Sequence, residues 1–286
     1  MQNKEKWMHR SAALVILLLV NSCLYAEEQN VDENTASNKI KENTKCLDCK
    51  LGGMISGGYD TNIYNRNDHR SIRSLSWRLS LDYTFSSDYK AYFKTGGYRA
   101  LEDKTGDYVT DSVIGMSRTQ LFGFGESGKV GVSGQFTIPT SETSRKDSLN
   151  TAFRVAVPVS TKQWGINFSV TPRISKSFHE YKTAGEKSLT EWIYSLSLAA
   201  GYSWDDLSLG MSMLGGNSRS YQGTRRTDIT YAGSIYGSYQ VTNNIGISIS
   251  ASTSGFYTDA ERGTLGNIDL FDPNSASYNV EISYSF

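Results

Sequence analysis

Long apolar runs are what this sequence most obviously lacks. A helix needs roughly 20 consecutive apolar residues to cross a bilayer, and the longest run here, Ala12 to Val20, falls well short. No other stretch comes closer, so a helical membrane protein is excluded. Hydrophobic residues make up only 38% of 286, a poor supply for a water-soluble core. Charge of one sign is missing too: Lys+Arg and Asp+Glu stand at 29 each, which argues against a nucleic-acid partner. The 4 prolines are Pro139, Pro158, Pro172 and Pro273. They lie near segment ends or in a loop, so none removes a mid-strand ladder bond. Of the 3 cysteines, Cys46 and Cys49 form a single C-x-x-C. With no second pair and no nearby histidine, a metal site is not expected.

The amino terminus is that of an exported chain. Lys4, Lys6 and Arg10 precede the apolar run, and Asn21-Ser22-Cys23-Leu24-Tyr25-Ala26 follows it. This is the layout of a signal peptide, residues 1–26, cleaved after Ala26. Val20-Asn21-Ser22-Cys23 also has the look of an imperfect lipoprotein box, which leaves lipidation of Cys23 as an alternative. Removal of the leader leaves a chain about two charges acidic. Residues 27–50 are polar without apolar period and read as a flexible periplasmic tail. In an oxidising periplasm Cys46 and Cys49 are expected to form a local disulfide.

From Leu51 onward the sequence has a period of two. Leu75-Trp77-Leu79-Leu81-Tyr83-Phe85 alternates with polar residues, and so do Trp192-Tyr194-Leu196-Leu198-Ala200-Tyr202-Trp204 and Ile245-Ile247-Ile249-Ala251. Such alternation is a strand with one apolar face. About twelve segments of this kind occupy residues 51–286. Leu51–Ile63, Tyr89–Tyr98 and Val109–Leu121 are the weakest, so ten or fourteen remain open. Short connections such as Asp205-Asp206 and Thr242-Asn243-Asn244 alternate with long ones such as 176–188 and 255–274. The implied fold is all-β: a transmembrane antiparallel up-and-down barrel with short periplasmic turns and long external loops. Phe85, Tyr89, Trp164, Trp204, Tyr239 and Phe286 collect at the short-turn ends, as an interfacial girdle would. A secreted β-sandwich, the alternative, needs no such girdle.

If the apolar register faces lipid, the other faces the lumen. It is rich in serine, for example Ser76, Ser80, Ser195, Ser197, Ser212, Ser234 and Ser250, with Tyr92, Ile193 and Tyr236 as bulky exceptions. Arg78, Lys90, Lys94, Arg154 and Arg173 belong to this register, with Arg118 added if its strand turns it inward; Val109–Leu121 carries a charge in both registers. Glu191, Asp228 and Glu281 come from strands eight, ten and twelve, and Asp82 is the acid on the basic side. Closed into a barrel, these positions give a basic wall facing a smaller acidic one, which predicts a mild preference for anions. Twelve strands at about 4.8 Å spacing, tilted about 40°, enclose a backbone cylinder roughly 24 Å across. Two functions follow: an outer-membrane channel for passive diffusion of small hydrophilic solutes, or a barrel sealed by its own lumenal ion pairs that displays loops or docks a periplasmic partner through residues 27–50.

The final strand, Tyr278-Asn279-Val280-Glu281-Ile282-Ser283-Tyr284-Ser285-Phe286, ends on a bare aromatic. It resembles the closing strand of Gram-negative outer-membrane barrels. That resemblance implies that Tyr284 and Phe286 are part of a signal read by the barrel assembly machinery. In size, strand count and basic lumenal tracks the chain resembles the twelve-stranded porins for acidic oligosaccharides, which implies a channel in the cell outer membrane. The early C-x-x-C and Gly58-Tyr59-Asp60-Thr61-Asn62 are similar to barrels that sheath multihaem cytochromes, though this chain is far too short to wrap one. Asp68-His69 and His179-Glu180 are the clusters nearest to a rim hydrolase. Neighbours on an extended strand point to opposite faces, so neither is aimed at a common substrate. No catalytic residue and no cofactor is expected.

Overall fold

The computed structural model describes residues 51–85, 89–102, 105–225, 229–257, 273 and 276–286. The leader, the tail, Cys23, Cys46, Cys49 and Asp228 lie outside the described residues.

Twelve strands follow one another in chain order: β1 Leu51–Thr61, β2 Arg73–Thr84, β3 Tyr89–Ala100, β4 in two segments Gly106–Val109 and Ser112–Phe124, and β5 Gly128–Ile138. They continue with β6 in two segments Leu149–Ala156 and Val159–Gln163, β7 Ile166–His179, β8 Thr190–Trp204, β9 Leu207–Ser220, β10 Ile229–Gln240, β11 Ile245–Tyr257 and β12 Ser277–Ser285. Each pairs antiparallel with its neighbour in sequence, and β12 returns to β1, so the sheet closes on itself. Closure satisfies every ladder edge, which a lipid solvent requires because it offers no hydrogen bonds of its own.

Two strands are broken: β4, in one of the weakly patterned segments, and β6, whose alternation is clear. In β4, Thr110 and Asp111 interrupt the ladder. The Asp111 carboxylate leaves it to accept from Ser141 N (2.9 Å) and Ser144 Oγ (2.5 Å), anchoring a short external helix, α1 Glu142–Lys146, capped by Ser141. In β6 the break is at Val157-Pro158, where proline has no N–H to donate and Pro158 O accepts from Gly131 N instead. The tight turns sit on one rim. Trp164 and Gly165 both have positive φ, 50° and 81°, the pair required by the hairpin turn that follows the strands' own twist.

The burial pattern is inverted relative to a soluble protein. Among the described residues the buried apolar side chains are few and small: Val113, Val130, Ala156, Ala232 and Ala276. The large ones, such as Leu75, Trp77, Ile114, Phe136, Leu196, Met211, Ile235, Ile249 and Ile282, are exposed on the outer face, where lipid is the solvent. Aromatics gather at the short-turn rim, with Phe85 stacked between Tyr83 and Tyr89 and Tyr202 against Trp204.

The chain's last residue completes the closure. Gly53 N donates to Phe286 O and Phe286 N to Gly53 O, each at 3.0 Å. The phenyl ring covers Gly53 so closely that a Cβ there would come within 2.6 Å of it. On the other side Asn244 holds Ser285, donating from Nδ2 to its carbonyl (2.7 Å) and accepting from its amide.

Candidate functional site

The register of each strand pair decides which side chains enter the lumen. Ser56, Arg78 and Gly96 lie directly opposite one another across β1, β2 and β3, on the side away from exposed Ile55 and Trp77. By the same counting, Asp82, Lys90, Tyr92 and Lys94 turn inward from β2 and β3, and Gln135 and Arg154 from β5 and β6. Arg173 turns inward from β7, and Asn279 and Glu281 from β12.

These groups are organised along the wall. Arg78 Nη1 donates to Glu281 Oε2 at 2.6 Å, reaching over β1 from β2 to β12. Lys90 Nζ lies 3.4 Å from Asp82 on the adjacent strand. Arg154 Nε donates to Ser175 Oγ (3.0 Å), and Lys94 Nζ sits 5.8 Å from the centre of the Tyr92 ring, within cation–π range. Arg173 is buried, between Ala156 and Ser195 on the neighbouring strands.

Tyr92 and Tyr236, two of the tyrosines that turn into the bore, are laid against the wall by glycine. The Tyr92 ring crosses β4 at Gly115, where a Cβ would lie 2.5 Å from it, and its hydroxyl donates to Gln135 Oε1 on β5 (3.2 Å). Tyr236 on β10 crosses β9 at Gly210, where the gap would be 2.3 Å, and its hydroxyl comes to 3.5 Å from the Cβ position of Gly201 on β8. Each ring therefore runs circumferentially. From β8 to β11 the inward side chains are chiefly hydroxyls that bond one another, as in Ser203–Ser208 (2.8 Å) and Ser212–Ser234 (2.7 Å).

Two expected lumenal charges are elsewhere. Arg118 pairs with Tyr89 and Val132 and shares the outward register of Ile114 and Met116. Its guanidinium rests 5.2 Å from the Tyr89 ring centre, at the periplasmic girdle. Glu191 sits at a bulge, where the register slips between Thr190 and Trp192. Its carboxylate is 3.4 Å from Lys176 Nζ, which belongs to the outer face. The acidic wall expected from strands eight, ten and twelve is thus reduced, among the described residues, to Glu281, and Glu281 neighbours the basic wall.

Asp60 is the lumenal acid that sequence reasoning missed. It is 5% exposed and accepts from Ser76 Oγ (2.8 Å) and Asn279 Nδ2 (2.9 Å). The signal was available: Asp60 follows lipid-facing Tyr59 in a strand of period two. His69 and His179 lie at the external rim. The His179 amide donates to Tyr221 Oη (3.1 Å), whose own proton goes to Ser177 O (2.6 Å).

No protein-family model and no curated relative matches the chain. Its structure is similar to that of the NanC porin, with a TM-score of 0.54 at 13% identity over 81% of this chain and 98% of the porin. It is also similar to an outer-membrane channel from Pseudomonas putida F1, with a TM-score of 0.56 at 12% identity over 82% and 95% of the two chains. At these identities the likeness is one of fold. A closed twelve-stranded ladder, an apolar outer face and an aromatic girdle are the architecture of a small, porin-like β-barrel of the outer membrane.

Proposed function

We propose that the barrel is a passive channel for small hydrophilic solutes with a preference for anions. The observation that carries this reading is the placement of Tyr92 and Tyr236 flat against Gly115 and Gly210. These two rings are thereby kept out of the bore, and the inward Tyr98 and Tyr108 rings stack on one another at 5.1 Å near the external end. Arg78–Glu281 and Lys90–Asp82 also run along the wall. Lys94, Arg154 and Arg173 add positive charge to the same side, and charge lining a narrow passage biases the ions that enter. No bond is made or broken in this function; the solute gradient drives it.

The remainder of the chain fits an exported barrel. Residues 1–26 serve as the leader and residues 27–50 as a periplasmic tail with a Cys46–Cys49 disulfide, open to a periplasmic partner. Tyr284 and Phe286 present the terminal aromatic signal to the assembly machinery. The test is conductance of the refolded full chain in a planar bilayer, with the reversal potential taken under a salt gradient. Discrete steps with an anion-leaning reversal are expected. A silent bilayer from protein that migrates as a heat-modifiable barrel overturns the channel in favour of a sealed, loop-displaying barrel.

A further inference from the structure

On the outer face, at the external end of β7 to β9, four side chains stand in one row across neighbouring strands. Lys176 lies opposite Trp192, Trp192 opposite Arg219, and Arg219 opposite Arg225. Directly opposed residues project to the same side, and here that side is the outer one, shared with exposed Ile174, Phe178 and Tyr194. A strand tilted about 40° climbs roughly 2.5 Å per residue along the barrel axis. Lys176 therefore sits about 25 Å above Ile166 and the periplasmic girdle, the full height of the apolar belt. The row marks the boundary between acyl chains and headgroups.

Its charge is unusual for a designed sheet position. Arg219 and Arg225 form a like-charge cross-strand pair, an arrangement that destabilises a ladder. Among the described residues no carboxylate lies within ion-pair distance of either; Arg219 Nε donates only to Gly223 O, at 3.3 Å. Elsewhere on the external rim the same outward position is neutralised: Arg99 is opposite Asp107 and bonded to it twice at 2.7 Å. The Lys176 ammonium is held 4.7 Å from the Trp192 ring centre, with the Glu191 carboxylate at 3.4 Å. An aromatic side chain thus stands between cations, level with the headgroups.

We infer that the Lys176–Trp192–Arg219–Arg225 row is a binding site for the phosphate groups of an outer-leaflet glycolipid. An external anion supplies what the sheet omits. Arginine forks match phosphate oxygens in pairs, while Trp192 and Phe178 pack on the sugar and upper acyl chains. The row spans three strand intervals, about 14 Å, long enough for a headgroup bearing two phosphates. The site lies outside the lumen and does not depend on conduction.

The test is native mass spectrometry of the refolded full chain, released from micelles containing a bis-phosphorylated lipid A or the same lipid with both phosphates removed. The phosphorylated lipid should remain bound at one equivalent, with at least about tenfold greater retention than the dephosphorylated form. Arg219→Gln with Arg225→Gln should erase that difference, while Arg99→Gln should not. Inorganic phosphate at the same concentration should not displace the lipid. Equal retention of the two lipids by the wild-type barrel, unchanged retention by a double variant that runs as a folded barrel, or displacement by inorganic phosphate would each overturn the site. The wild-type comparison decides the matter even if the double variant does not fold.

Discussion

The wall from β12 through β1 to β7 and the wall from β8 to β11 share one ladder and are furnished in opposite ways. The first holds Asp60, Arg78, Asp82, Lys90, Lys94, Arg154, Arg173 and Glu281. The second, among the described residues, turns inward mainly serine and glycine with Tyr236. A hydroxyl both donates and accepts, so a serine finds a partner in the next strand, as Ser212 and Ser234 do. On the charged wall some groups pair with the next strand, as Lys90 does with Asp82, and others reach farther. Arg78 crosses a whole strand to Glu281, and Asp60 draws on both β2 and β12. The serine wall bonds within itself; the charged wall holds the ion pairs of the seam and is where the proposed solute preference would arise.

The largest break in this comparison comes from forcing the serine half to obstruct the bore. Gly210→Leu displaces the Tyr236 ring into the lumen and should cut single-channel conductance to less than about half; Gly210→Leu with Tyr236→Ser should restore most of it. Unchanged conductance in the single variant would show that the ring does not border the pathway. Next in size, Arg154→Glu with Arg173→Glu should move the reversal potential to the cation side. Ser212→Glu with Ser234→Glu, placed on the neutral wall, should shift it the same way while leaving every lumenal base in place. Equal insensitivity of both walls would remove the basis for anion preference.

Stability sharpens the contrast further. Glu281→Gln strips a carboxylate from Arg78 and should destabilise the barrel by about 1–3 kcal/mol, read as a lower urea midpoint in vesicles. Ser212→Ala on the other wall should cost under about 1 kcal/mol. The smallest effect lies in the loops above the charged half. There a hydrogen bond from Ser71 outweighs the opposing effect of burial and, with smaller contributions from Arg73 and Arg66, holds the Glu102 carboxyl below its usual value. A carboxyl depressed in the fold contributes stability above its unfolded value and loses it as pH falls through the folded one. Protection of the Ile72 amide, which donates to Asn62 Oδ1 (3.1 Å), should therefore decline in acid. Glu102→Gln should make the decline disappear.

Much of this architecture is legible in one sequence because a period of two ties each side chain to a face. Leu75 to Phe85 fixes β2, and once β2 is fixed Arg78 and Asp82 must point inward. The reading fails where the period slips. The bulge at Glu191 inserts a residue and turns a presumed lumenal acid toward Lys176. The irregular pairing between Arg118 and Phe122 lies in the strand whose two registers both carried charge, and there the outward register won. Neither slip has a local sequence signature, since a bulge is chosen by the partner strand. The flattening of Tyr92 and Tyr236 was hidden for a related reason: it depends on glycines more than 20 positions away, brought alongside by pairing.

The seam has one more consequence, for time rather than for energy. Arg78 and Glu281 are 203 residues apart in the chain, and Asp60 and Asn279 are 219 apart. Contacts of such separation are slow to find and form after the neighbouring hairpins have already registered. Interactions absent from the rate-limiting state leave the forward rate almost untouched and act on the reverse rate. The Asp60 and Arg78 bridges, together with the Phe286 ring on Gly53, therefore work as a latch. Once shut, they set how long an individual barrel survives in the membrane before it opens.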